Sequence, residues 1–179
     1  MLFRSMNKTP LRFAFTLLLA ILTVFGVSQM ASGSDHGNRY EKVITVLHGP
    51  TDASNSQQID LGAPGHSVGD MLTVYIPFTA GRQTGHLTGS LTTVAVDQPA
   101  VGKDVRTSNL VFVFGAEENQ IVVGGQAVYE ISQPTLSIGV ATVRPIVGGS
   151  GKYNGASGYM ESTRLADNTW RHVIHLITK

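Results

Sequence analysis

Apolar and polar positions alternate in short runs along this chain, and nowhere do they repeat at helical spacing. Eight runs rich in β-branched and aromatic residues, each closed by Gly, Pro, Asn or Asp, predict eight strands, at residues 42–48, 70–79, 85–96, 109–117, 120–130, 135–147, 156–165 and 170–178. Short links such as "AEENQ" and "ADNT" predict hairpin turns and an antiparallel meander. The longer link "VDQPAVGKDVRTS" reads as a mobile loop. In the second run Leu72, Val74, Ile76 and Phe78 share one face, and Met71, Thr73 and Tyr75 share the other. In the sixth, Ile138, Val140, Thr142 and Arg144 alternate against Ser137, Gly139, Ala141 and Val143. Eight strands without helical periodicity predict an all-β sandwich or barrel, and strands apolar on both faces need cover on both sides, as a barrel with a packed interior and a self-associating exterior would provide.

Composition changes this picture at the N-terminus. Arg4, Lys8 and Arg12 precede the apolar run Phe13 to Val27, which exits into "SQMASGS". That order predicts a signal peptide over residues 1–31, cleaved near 28–33, then a flexible leader over 32–42 and one barrel domain over 43–179. The apolar run also approaches the length of a membrane anchor, but its brevity and small-residue exit favour cleavage and a secreted, membrane-free product. Thirteen basic residues less the three in the leader leave ten against twelve acidic, a net of −2. No basic stripe remains for a phosphate backbone, which argues against a nucleic-acid partner. Cysteine is absent, which excludes disulfides and thiolate chemistry.

The segment "RPIVGGSGKYNGASGYMES" poses a choice between a phosphate cradle and a sheet turn. A phosphate loop requires G-x-x-x-x-G-K-[ST] leading into a helix, but Tyr153 follows Lys152 and Ile146 stands where the first glycine belongs. A G-x-S-x-G nucleophile elbow fails at Lys152 and at Tyr159. The remaining reading is geometric, with Gly148, Gly149, Gly151, Gly155 and Gly158 as turn residues.

The succession "VGDMLTVYIPF", "GHLTGSL", "LVFVFGAEENQIVVGGQAVYE" and "IVGGSGKYNGASGYMES" resembles the allene oxide cyclase and dirigent barrels. The glycine hairpin matches that family's G-G-[ST]-G-x-[FY]-x-G-x-x-G pattern, and the likeness spans residues 43–179. It implies a closed, all-β, eight-stranded antiparallel barrel with a mainly hydrophobic central pocket, a trimer and action without a cofactor. The family's functional residues transfer poorly. Where allene oxide cyclases carry first-strand glutamate and asparagine, this chain has Val46 and His48, and Gly49 replaces the dirigent aspartate. Thr142 occupies the place of the dirigent arginine, with Arg144 two residues along the same face.

Four residues remain as ligand-binding candidates: His48, Tyr75, Thr142 and Arg144. Tyr75 reads as a cavity donor or as core filling, and base rates favour core. Arg144 reads as a pocket cation or a surface residue, and the rarity of buried arginine favours the surface. No metal site is expected, because His172 and His175 point to opposite faces of one strand. Two functional classes stand open: a barrel that holds a small apolar or amphipathic molecule and guides its cyclisation or coupling, and a barrel that binds one without turnover.

Overall fold

Inward and outward positions alternate along the strand Met71–Ala80, with Val74, Ile76 and Phe78 buried and Tyr75 and Pro77 exposed. The same two-residue period runs through the whole sheet. The computed structural model describes residues 40–133 and 135–178, and there ten strands form one antiparallel circuit. In chain order they are β1 (Tyr40–His48), β2 (Ser56–Ile59), β3 (Met71–Ala80), β4 (Gln83–Val96), β5 (Lys103–Phe114), β6 (Gln120–Val123), β7 (Gln126–Glu130), β8 (Ala141–Gly149), β9 (Gly158–Arg164) and β10 (Trp170–Thr178).

Ten strands make eight staves. β1 and β2 lie along successive parts of β3, and β6 and β7 along successive parts of β5. The ring runs β1, β10, β9, β8, β6, β5, β4, β3 and closes where Leu47 and His48 pair with Thr79 and Phe78. The expected eight-stranded closed barrel is therefore present. Among the described residues the one helical element is the 3-10 turn Gly151–Tyr153.

Three expectations need correction. The supposed loop before Asn109 is strand from Lys103 onward, because Asp104, Arg106 and Ser108 point inward, where their polarity hides the alternation. The sixth run becomes strand only at Ala141. Ile138 and Val140 before it are exposed, and Leu136 folds back into a small cluster with Ala127, Tyr129 and Trp170. The barrel also begins at Tyr40, inside the expected leader. The signal peptide and residues 32–39 of that leader lie outside the described residues.

The main core fills one end of the barrel. Phe78, Phe112, Phe114 and Tyr153 form an aromatic floor with ring separations of 5.0 to 5.9 Å, joined by Ile121, Met160 and Leu176. The glycine hairpin supports this floor. Gly151 has φ +56, and a Cβ there would stand 2.5 Å from the Glu118 carbonyl oxygen. Gly158 has φ +129, and its Cβ would meet the His175 carbonyl oxygen at 2.0 Å. Close approach of neighbouring strands demands these two glycines, whereas Gly148 faces open space.

Outside, β8, β9, β10 and β1 expose a band of apolar side chains: Val143, Val147, Tyr159, Ile177 and Val43. Pro145 pairs with Tyr159, Tyr159 with His175, and His175 with Val43, so the band is continuous across the four strands.

Candidate functional site

Several staves change character along their inward faces at the same level. On β5 the floor residues Leu110, Phe112 and Phe114 give way to Ser108, Arg106 and Asp104. On β8 Ile146 gives way to Arg144, on β9 Met160 to Ser162, on β10 Ile174 to His172, and on β1 Val46 to His48. β3 stays apolar along its inward face throughout. A polar arc thus faces an apolar wall across a cavity of about 60 Å³. Leu72, Val74, Ile76, Leu87, Leu91 and Leu110 line the apolar side. His48, Arg106, Tyr129, Arg144, Ser162 and His172 line the polar side, Leu136 completes the lining, and Trp170 stands at the mouth, shared with the space beyond. Beyond Trp170 lies a wider vestibule of about 330 Å³ whose lining includes Thr51, Asp52, Ser56, Gln58, Arg164 and Asn168. It opens where β2 continues the first stave past His48 while β10 begins at Trp170.

Arg144 is 2% exposed, which corrects the surface expectation. Its Nε donates to Ser108 Oγ at 3.0 Å and its Nη2 to Tyr129 Oη at 2.6 Å. Among the described residues no carboxylate forms a salt bridge with it. Arg106 differs. It donates from Nε and Nη2 to Asp104 Oδ2 at 3.2 and 2.9 Å, and its guanidinium lies 4.5 Å from the Tyr129 ring centroid. Asp104 is fully buried, and its Oδ1 has no hydrogen-bond partner among the described residues. Burial pushes the Tyr129 hydroxyl pKa up, partly offset by the positive charge of Arg144 and Arg106.

The two histidines and Ser162 form a chain. Ser162 Oγ lies 2.9 Å from His172 Nδ1, and His172 Nε2 lies 3.0 Å from His48 Nε2. His48 Nδ1 lies 2.7 Å from the Gly49 carbonyl oxygen. That carbonyl only accepts, so His48 carries its proton on Nδ1 and accepts at Nε2. His172 must then donate from Nε2 and accept at Nδ1 from the Ser162 hydroxyl. Burial lowers the pKa of both rings, that of His172 strongly and with help from His48 and Arg144, which keeps the pair neutral. Trp170 stacks against both rings at 6.0 Å, and Phe112 meets His172 edge-on at 5.3 Å.

Of the four sequence candidates, His48 and Arg144 line the cavity. Thr142 is half-buried on Arg144's face, paired with Ser162, outside the cavity lining. Tyr75 is 60% exposed, because the period that turns Val74 and Ile76 inward turns it out, and its ring stacks on His86 at 4.9 Å. Sequence reasoning missed Arg106, Tyr129, Ser162 and His172. One signal was available: folding the last hairpin about Asp167 sets Ser162 opposite His172. Among the described residues no three His, Asp or Glu side chains converge as metal ligands do.

No protein-family model and no curated protein matches this sequence. Solved structures do. The exo-specific intermolecular Diels–Alderase AbnU matches with a TM-score of 0.58 at 17% identity, over 79% of this chain and 100% of that one. The pterocarpan synthase dirigent protein GePTS1 matches at 0.53 and 15%, over 78% and 87%. A pyocyanin demethylase matches at 0.54 and 17%, over 76% and 99%. At these identities the likeness concerns the backbone: this chain has the barrel fold found in a dirigent protein and in Diels–Alderases.

Proposed function

We propose that this protein is an exported, self-associating barrel that holds a small amphipathic molecule with an anionic or oxyanionic head, and guides its cofactor-free cyclisation or coupling. One observation carries the reading. Arg144 is a buried cation with hydroxyl partners and, among the described residues, no carboxylate, set in a cavity whose opposite wall is hydrocarbon. A buried charge is costly unless it is paired, so the missing counter-charge belongs to the ligand. The apolar wall would hold the ligand's body, and the wider vestibule would take a second substituent or a second reactant. Fixing a reactive conformer against such walls can supply roughly 7–11 kcal/mol of the barrier without acid–base chemistry. The barrel fold shared with a Diels–Alderase and a dirigent protein supports this class of reaction.

Calorimetric titration with 3-phenylpropanoate and with 3-phenylpropanol separates head from body. The carboxylate should bind at least about tenfold tighter, as one charge-assisted hydrogen bond provides, and Arg144→Met should erase the difference. Equal affinities in the wild type would end the reading.

The composition of the leader supports export, the apolar band over β8, β9, β10 and β1 supports self-association, and the family resemblance would make that assembly a trimer. The alternative is a binding barrel without turnover, favoured by Val46, His48 and Gly49 where the resembling families carry carboxylate or amide groups. A ligand that binds tightly and is recovered unchanged would select it.

A further inference from the structure

His48 has two surroundings. Inside, it lines the cavity together with His172 and Ser162. Outside, it lines a groove of about 580 Å³ on the barrel surface, with Leu47, Gly49, Thr84, Leu165 and Thr169. The hydrogen-bonded chain from Ser162 through His172 to His48 ends on the Gly49 carbonyl oxygen, and His48 and Gly49 both line the outer groove. This end lies at the closure seam, where β1 meets β3 through only two residue pairs.

We propose that Ser162, His172 and His48 form a proton relay between the cavity and the outer groove, and that the barrel uses it to enolise a carbonyl compound bearing an acidic C–H bond. The proposal rests on the reading that Arg144 holds an anionic head in the cavity, and it adds a chemical step to that reading.

The step balances. The C–H bond of the substrate breaks, its electron pair moves into the enolate, and its proton passes to Ser162 Oγ. The original Ser162 proton passes to His172 Nδ1. The Nε2 proton of His172 passes to His48 Nε2, and the Nδ1 proton of His48 breaks its hydrogen bond to the Gly49 carbonyl and leaves to water in the outer groove. Arg144 lies on the cavity wall beside Ser162 and faces the charge of the enolate. Both rings are now in the opposite tautomer. Returning a proton along the same path, from water to His48 Nδ1 and finally from Ser162 to carbon, restores the starting state. One removal followed by one return resets the relay, which is the stoichiometry of a tautomerase or of an isomerisation through an enol.

The surroundings suit this role. Neutral rings pass a proton without trapping it as an imidazolium, and burial keeps them neutral. Trp170 and Phe112 pack against the rings and hold them in line. Ser162 is 2% exposed and has no other described hydrogen-bond partner, so its hydroxyl is oriented by His172 alone.

Two measurements on the purified protein test the proposal. In the ligand-free protein, 15N NMR of the imidazoles should show His48 protonated on Nδ1 and His172 on Nε2. Any other neutral pair overturns the relay. The second uses 3-phenylpyruvate, with binding followed by calorimetry and keto–enol interconversion by ultraviolet absorbance in H2O and in D2O. Interconversion should exceed the spontaneous rate by about a hundredfold or more, and Ser162→Ala and His172→Gln should each remove that gain. The wild-type rate should fall in D2O because several relay protons move together, and His48→Gln should lower the rate about tenfold or more and shrink that solvent isotope effect, because an amide cannot pass the proton on. A merely structural His48 would lower the rate and leave the isotope effect as it was. If 3-phenylpyruvate binds and interconverts no faster than in buffer, enolisation is refuted while the anion-binding reading stands. If it does not bind, the anion-binding reading and the enolisation role fall together, and the tautomers alone decide whether the relay exists.

Discussion

Replacing Arg144 with methionine should leave the fold nearly as stable as before while removing the recognition of anions. In the wild type, Arg144 makes two described hydrogen bonds, to Ser108 and to Tyr129. Bonds of this charge-assisted kind contribute about 1.5–3 kcal/mol each. Against them stands the desolvation of a guanidinium that is 2% exposed, several kcal/mol for an ion that no carboxylate among the described residues neutralises. Methionine fills similar space with an apolar chain and removes that penalty. It leaves the Tyr129 hydroxyl without its described donor, at a cost of about 1–3 kcal/mol. Ser108 still donates to the Gly125 carbonyl at 3.2 Å. The terms nearly cancel, so Arg144→Met should lie within about 2 kcal/mol of wild type in urea unfolding. Trp170, the one tryptophan of the chain, stands at the cavity mouth and reports the transition by fluorescence. Binding of 3-phenylpropanoate should meanwhile weaken by about 2–5 kcal/mol, thirtyfold or more. A loss of stability above about 3 kcal/mol would refute the argument, since that is what breaking a buried pair costs and would mean the charge is already compensated within the fold.

Three further outcomes follow from the same geometry. Both buried histidines have pKa values lowered from the ordinary 6.5, so the unfolded chain binds more protons, and stability should fall as pH drops below about 6.5 until the lower folded values are passed. The slope should reach up to about 1.4 kcal/mol per pH unit for each ring, and His172→Gln should flatten it in acid titrations of the unfolding midpoint. Gly158→Ala should cost more than about 2 kcal/mol, because a strained φ and a carbonyl oxygen 2.0 Å from the new carbon act together, whereas Gly148→Ala should stay within about 0.5 kcal/mol in the same thermal melts. Val147→Lys, in the exposed apolar band, should lower the mass seen by light scattering toward a monomer and leave anion binding unchanged, as should Tyr75→Ala for binding. A wild type already monomeric would remove the trimer.

What could be read from the sequence divides along the axis of the barrel. Where inward residues are apolar, as at Leu72, Val74, Ile76 and Phe78, the two-residue period stands out and predicts both strand and face. Where they are polar, the same period carries no hydrophobic contrast. Asp104, Arg106 and Ser108 alternate inward with the same regularity, yet they read as a loop. Arg144 failed for a related reason: base rates place arginine outside, and only the three-dimensional meeting of β5, β7 and β8 supplies the hydroxyls that hold it. His48 and His172 come from opposite ends of the chain, joined by the pairing of β1 with β10, a closure that local spacing does not encode.

The residues hardest to read are those that give the cavity its chemistry, and one physical cause underlies both facts. A polar side chain facing a barrel interior must find partners there or lower stability. Most members of this arc do so: Arg106 with Asp104 on the same strand, and across strands Arg144 with Ser108 and Tyr129, and His172 with Ser162 and His48. Among the described residues two positions stay incomplete, the Arg144 charge, which lacks a carboxylate, and Asp104 Oδ1, which lacks a donor. A fold selected for stability alone would fill these places with leucine and valine, as β3 does on the facing wall. Retaining a buried cation opposite hydrocarbon therefore points to a ligand with the complementary shape, charged at one end and apolar at the other. The proposed relay through Ser162, His172 and His48 lines the same cavity, so a ligand held by that cation would share its space with a proton path.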